Sequence, residues 1–236
     1  MILHTESFGK GEPIVFLHSG LQTGMTDFDY QRDYFKEQFR VIVPDLRGHG
    51  NSVAEDINDF FEDSAKDLSE TLEHLGIESA HIVGASLGAL AAIFFCKRFP
   101  GKVKSLAISG VTPEKPDNWE QLRRQETQNQ QQIFQYKEAN AYFDQLHKGD
   151  WRKFIEMGQS EEWYPFEETK DLSDIDSPVL YIAGEGNPSE VEGVLYYPGK
   201  HDHVHVSVIP FASHLVHAEQ AEVYTQTLEL FLSQID

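Results

Sequence analysis

Apolar positions along this chain follow two alternating patterns. Short, nearly continuous runs rich in Val, Ile, Leu and Phe occur at Pro13–His18, Arg40–Pro44, Ser79–Gly84, Val103–Ser109, Val179–Ala183 and Val204–Phe211. A strand with one face in water would alternate polar and apolar residues. Unbroken runs bounded by Gly and Pro therefore predict parallel strands covered on both faces. Between the runs the period changes to three and four. Phe61, Ala65, Leu68, Leu72 and Leu75 form one apolar helical stripe, and Gly76 stops it. Ala89–Phe99 is apolar almost all round, which predicts a central helix, ended by Pro100 and Gly101. Ala221–Leu232 closes the chain with a further amphipathic pattern. This alternation predicts an α/β fold with a doubly wound, mostly parallel sheet.

One segment breaks the rhythm. From Val111 to Asp176 there is no strand pattern, but there are several helical stretches carrying Trp119, Phe134, Tyr136, Tyr142, Phe143, Trp151, Phe154, Trp163, Tyr164 and Phe166. The predicted organisation is a core of residues 1–110 and 177–236, with a helical cap of residues 111–176 over the carboxyl edge of the sheet. Most of these aromatics are expected to pack the cap onto the core, and a few to line a pocket. The Gln-rich stretch Gln121–Gln135 reads as a helical surface because apolar residues follow it closely.

Composition narrows the class. A chain of 236 residues can bury one sizeable core without staples, and its single cysteine, Cys96, permits no intramolecular disulfide. The first residues show no basic stretch followed by an apolar one, and no apolar run approaches the ~20 residues of a membrane span, so a cytoplasmic protein is expected. The formal charge of −20 repels nucleic-acid phosphates and anionic lipid, so neither nucleic acid nor membrane is an expected partner. It also argues against a polyanionic substrate. Glu55, Asp56, Asp59, Glu62, Asp63 and Asp67 read as a solvated helix face.

The candidate chemistry begins at Gly84-Ala85-Ser86-Leu87-Gly88, which joins a predicted strand to an apolar helix. A side chain at the apex of such a turn needs a strained backbone to project clear of the sheet. Glycines two positions to either side remove the Cβ atoms that would collide there. Ser86 is the candidate nucleophile, and the N–H of Leu87, at the start of the helix, a candidate oxyanion donor. A serine hydroxyl needs a base. His214 lies just past the last predicted strand and is preferred to His217, three residues on, because position decides reach.

Together these motifs resemble the α/β-hydrolase superfamily, in its capped serine-hydrolase branch. His18-Ser19-Gly20 looks like the family's His-Gly turn, and Asp45-Leu46-Arg47-Gly48-His49-Gly50-Asn51-Ser52 resembles its D-x-R-G-x-G-x-S loop. Gly84–Gly88 is similar to its nucleophile elbow, Pro178–Asn187 to the strand leading to its catalytic acid, and His214–Gln220 to its terminal histidine motif. Ser19 separates His18 from Gly20, so the second oxyanion donor is expected to be the N–H of Leu21, with Gly20 next. The family's acid position falls on Asn187. An amide can orient an imidazole but carries no charge, so Asn187 and Glu190 stand as equal candidates. Glu185 and Glu114 follow, and a Ser-His dyad supported by Asn187 is a further possibility. The resemblance implies hydrolysis of a small uncharged ester, thioester or lactone without a cofactor. It also covers C–C hydrolases and lyase-type enzymes, and the amide at the acid position leaves room for a weakly catalytic binding module. His201, His203 and His205 would share one face of a strand and could suit zinc. The rest of a metallohydrolase pattern is absent, so no metal is expected and the run is read as a solvated strand entry.

Overall fold

The computed structural model describes residues 1–160 and 162–235. Its seven strands are β1 Thr5–Phe8, β2 Glu12–Leu17, β3 Phe39–Pro44, β4 Ala80–Ala85, β5 Val103–Ser109, β6 Val179–Gly184 and β7 Val204–Ile209. They form one sheet in the order β1-β3-β2-β4-β5-β6-β7. Six run parallel, and β1 lies antiparallel on β3 at one edge. β1 is absent from the sequence expectation because Thr5–Phe8 is short, polar and at most half-buried, with no apolar run to mark it. The last strand ends at Ile209, not at Phe211. Pro210 brings no N–H to a ladder, and Phe211 takes φ 60°, which leaves the extended region.

Helices cover both faces. On one side α1 (Asp29–Phe35) and α11 (Ala221–Leu232) bury Phe28, Phe35, Tyr224, Leu228 and Phe231 against the sheet. On the other, α2 (Phe60–His74) and α3 (Leu87–Arg98) bury Leu68, Leu72, Leu90, Ile93 and Phe95. Each fully buried Leu or Phe of this kind contributes about 1.5–3 kcal/mol. The α2 stripe turns inward as its spacing demands, and Gly76 ends it at φ 68°. Residues Leu87 to Cys96 of α3 are all buried, so it is the central helix. Asp67 departs from the solvated face read in the sequence: it is 1% exposed and accepts a 2.8 Å hydrogen bond from Arg47 Nε.

Four helices stand between β5 and β6: α4 (Trp119–Ile133), α5 (Lys137–Leu146), α6 (Arg152–Gly158) and α7 (Phe166–Thr169). Short helices α8 (Pro188–Val191) and α9 (Gly193–Tyr196) follow β6, and α10 (Val216–Glu219) precedes α11. Because β2 to β7 are parallel, their carboxyl ends share one edge. The register pairs Leu17 with Gly84, Ala85 with Ser109, and Gly184 with Ile209. The loops carrying His18–Phe28, Ser86, Gly110, Asn187–Glu190 and His214 therefore leave the sheet side by side. β2 has β3 on one side and β4 on the other, so the chain reverses its winding there, where open α/β sheets form crevices. Among the described residues no helix is long and apolar enough to cross a membrane.

Candidate active site

Ser86 sits between the end of β4 and the first turn of α3 with φ 52° and ψ −118°, a conformation that L-residues rarely adopt. Its surroundings hold it there. The Ser86 N–H donates to Ser109 O at 2.9 Å, and the Ser86 carbonyl receives the N–H groups of Ala89 and Leu90. A Cβ on Gly88 would lie 2.1 Å from Leu17 O, and one on Gly84 would lie 2.6 Å from Gly88 O. Neither position accepts a larger residue without moving the turn.

His214 Nε2 lies 2.8 Å from Ser86 Oγ, and its Nδ1 lies 2.6 Å from Glu190 Oε1. A carboxylate on Nδ1 fixes the tautomer: Nδ1–H donates to Glu190, and Nε2 is left to accept from the serine hydroxyl. Glu190 reaches this place through one helical turn. Pro188 opens α8, the Glu190 N–H donates to Asn187 O at 3.1 Å, and residues three apart lie on one face. Asn187 Nδ2 donates to the same Glu190 Oε1 at 2.6 Å. The amide thus contacts the carboxylate, and the carboxylate contacts the imidazole. Glu190 is 2% exposed, and burial raises its carboxyl pKa despite the opposing pull of His214. The His214 ring is partly exposed, and its hydrogen bond to Glu190, with the charges of Glu190, Glu126 and Glu219, holds the imidazole pKa above its ordinary value.

The other candidate acids are placed elsewhere. Glu185 Oε1 accepts the Phe211 N–H at 2.9 Å, and Glu114 Oε1 accepts the Tyr196 hydroxyl at 2.8 Å. A residue not singled out in the sequence, Glu219, fixes the loop around His214. Its two carboxylate oxygens accept the N–H groups of Ser213 and Leu215, each at 2.9 Å. Its signal was its place five residues beyond His214 in the terminal motif.

The oxyanion loop corrects one expectation. The Leu21 N–H does not face Ser86; it donates to His49 Nε2 at 3.3 Å, while Leu21 O receives His147 Nε2 at 3.0 Å. His49 can accept there because its Nδ1 faces Arg47 O at 3.1 Å, and burial keeps its pKa well below the ordinary value. Gly20 is the residue beside Leu87: a Cβ on it would lie 3.9 Å from Leu87 Cβ.

Asp27 secures the loop from below. Its Oδ2 accepts the Ser19 N–H and hydroxyl, both at 2.8 Å, and its Oδ1 meets His217 Nε2 at 2.6 Å. His217 is 1% exposed and stacks on Phe28 at 4.1 Å, so it is a buried structural partner and lies away from Ser86. Burial opposes ionisation of Asp27, but its contacts with His217 and Ser19 outweigh burial and hold its carboxyl well below the usual carboxylate range. Asp27→Ala is expected to destabilise the fold by about 3–5 kcal/mol in urea titration, because it strands a buried imidazole. The wild-type contribution is fully present above about pH 4, the unfolded carboxyl range, and is lost as pH falls towards the lower folded value. A destabilisation that is equal at neutral pH and in strong acid would contradict this.

Two chambers meet at Ser86. The larger, about 490 Å³, runs along Thr112, Trp119, Gln125, Asn129 and the Asn187–Glu190 turn. The smaller, about 250 Å³, runs along Ser19–Gln22, Leu87, Phe154, Ile155, Met157 and Gly158. Ser86, Glu126, Trp163 and His214 line both. The histidine run lies elsewhere. His201 and His203 precede β7, so the three histidines do not alternate within one strand, and His201 Nε2 accepts the Leu172 N–H at 3.4 Å. Among the described residues no group of three or more His, Cys, Asp or Glu is placed to hold a metal ion.

The family model for the alpha/beta hydrolase fold matches residues 12–141. The bifunctional esterase/perhydrolase DCH of Acinetobacter calcoaceticus is 28% identical over 217 residues, covering 78% of this chain and 79% of that protein. The pimeloyl-(acyl-carrier protein) methyl ester esterase of Chromobacterium violaceum is 38% identical over 114 residues, less than half of either protein at 48% and 42%. The crystal structure of NosK from Streptomyces actuosus superposes with a TM-score of 0.81 at 25% identity, covering 96% of this chain and 99% of that one.

Proposed function

This chain belongs to the α/β-hydrolase fold family, and on that premise we propose that it is a serine hydrolase acting on a small carboxylic ester, thioester or lactone. The observation that carries this reading is the unbroken line Ser86–His214–Glu190, with contacts of 2.8 and 2.6 Å. Ser86 Oγ attacks the acyl carbon while its proton passes to His214 Nε2. Glu190 stabilises the imidazolium so formed and keeps its proton on Nδ1. The N–H groups of Gly20 and Leu87 hold the developing oxyanion. His214 then gives its proton to the departing alkoxide or thiolate. Water, deprotonated by the same nitrogen, attacks the acyl-enzyme and releases the acid. Residues 111–176 act as a cap that shapes both chambers.

The esterase named among the relatives supports ester chemistry, and the net charge of −20 disfavours polyanionic substrates. The acid position held by Asn187 had favoured a binding module. Glu190 beside the imidazole's outer nitrogen supports the catalytic reading over that one.

The test is the pH dependence of p-nitrophenyl acetate hydrolysis, with nitrophenol and acetate measured together. A base must be neutral to accept the serine proton, so kcat/KM is expected to rise with pH and level off. Its midpoint should lie above 6.5, the ordinary imidazole value, because Glu190 favours the charged ring. A flat profile, or a midpoint well below that value, would count against His214 as the base.

A further inference from the structure

Glu126 is the feature of the cavity that the serine mechanism leaves unused. It projects from α4, in the inserted helices, and lines both chambers beside Ser86 and His214. Among the described residues its carboxylate accepts a hydrogen bond from a neutral amide, Gln130 Nε2 at 3.3 Å. Among the described residues no lysine or arginine lines either chamber. Glu126 is exposed at the chamber wall, so a carboxylate there keeps its water and can attract a cation entering beside Ser86.

The walls around it suit such a guest. Trp119, Trp163 and Tyr164 line the larger chamber, and aromatic faces attract ammonium groups. The second carboxylate in the lining, Glu190, is engaged by His214 and Asn187, so Glu126 is the one left for the substrate. An anionic acyl or alcohol group would face both carboxylates, with no lysine or arginine in the lining to offset them.

We infer that Glu126 is a specificity residue selecting esters that carry an ammonium group within a few bonds of the scissile carbonyl. This rests on the serine-hydrolase reading and narrows its substrate to a cationic ester, in place of the uncharged one expected from the sequence. The position of Glu126 at the junction of the chambers lets it meet a cation from either the acyl or the alcohol side.

The experiment compares acetylcholine with 3,3-dimethylbutyl acetate, which replaces the charged nitrogen by carbon at the same shape. In parallel, benzyltrimethylammonium is tested as an inhibitor of p-nitrophenyl acetate hydrolysis, with benzyl alcohol as the neutral control. Wild type is expected to favour the charged ester by about tenfold or more in kcat/KM, mostly through KM, and to be inhibited competitively by the cation. Glu126→Gln should bring the ratio close to unity and weaken the cation by about tenfold, which corresponds to about 1.4 kcal/mol. Labelling of wild-type Ser86 by a neutral fluorophosphonate separates the two levels of the argument. Labelling with no charge preference and no inhibition by the cation would overturn the inference and leave the serine reading standing. A charge preference that survives in Glu126→Gln would overturn it equally. Neither labelling nor hydrolysis of any ester would remove both.

Discussion

Ser86→Ala is expected to lower ester turnover by about 10⁶-fold while leaving the protein folded. The size follows from the site. Among the described residues no other hydroxyl is hydrogen-bonded to His214 Nε2, so loss of Oγ removes both the attacking atom and the proton donor to the base. The turn itself survives, because its strain lies in the backbone. The φ of 52° is imposed by the Ser109 O contact and by Gly84 and Gly88, which the substitution leaves in place. The check is turnover with the best ester found, alongside a thermal melt of the same preparation. Residual activity within about a hundredfold of wild type, in a folded variant, would mean that another group attacks the acyl carbon.

Glu190→Gln is expected to lower kcat by about 10⁴-fold, whereas Asn187→Ala should cost about tenfold. The two side chains share one carboxylate oxygen but hold different places in the chain of contacts. Glu190 is the group on the imidazole, and it supplies the negative charge that stabilises the imidazolium. Asn187 only donates to Glu190. The pH profile separates electrostatics from packing. With the Glu190 charge gone, Glu126 and Glu219 remain to favour the charged ring, so the midpoint of the surviving activity should move to lower pH. If Asn187→Ala proved the more damaging change, or if the Glu190→Gln midpoint stayed fixed, the amide rather than the carboxylate would be orienting His214.

Different parts of this account were legible in the sequence to different degrees, for physical reasons. The parallel strands show as unbroken apolar runs because both faces are covered, whereas β1 carries no such run and pairs only at an edge. Ser86 is marked by local geometry: the turn from strand to helix demands glycines two residues to either side, and that demand is written in adjacent positions. Glu190 could not be told from Asn187, because one turn of α8 decides which of them meets the imidazole. The commitment of Leu21 to His49 and His147 depends on contacts across 28 and 126 residues, which no local pattern records. Asp67 looked solvated for a similar reason, since its partner Arg47 lies on another loop. Glu126 was hidden in a polar, Gln-rich helix whose inward side is set only by how α4 lies over the sheet edge.

The central claim is that Ser86 is an activated nucleophile, and covalent labelling tests it most directly. Folded wild-type protein is treated with a neutral fluorophosphonate, and the modified peptide is identified by mass spectrometry. The account predicts rapid, stoichiometric modification of Ser86, absent in Ser86→Ala and slowed by orders of magnitude in His214→Ala. Failure of the folded wild type to react, or modification at a different serine, would contradict it.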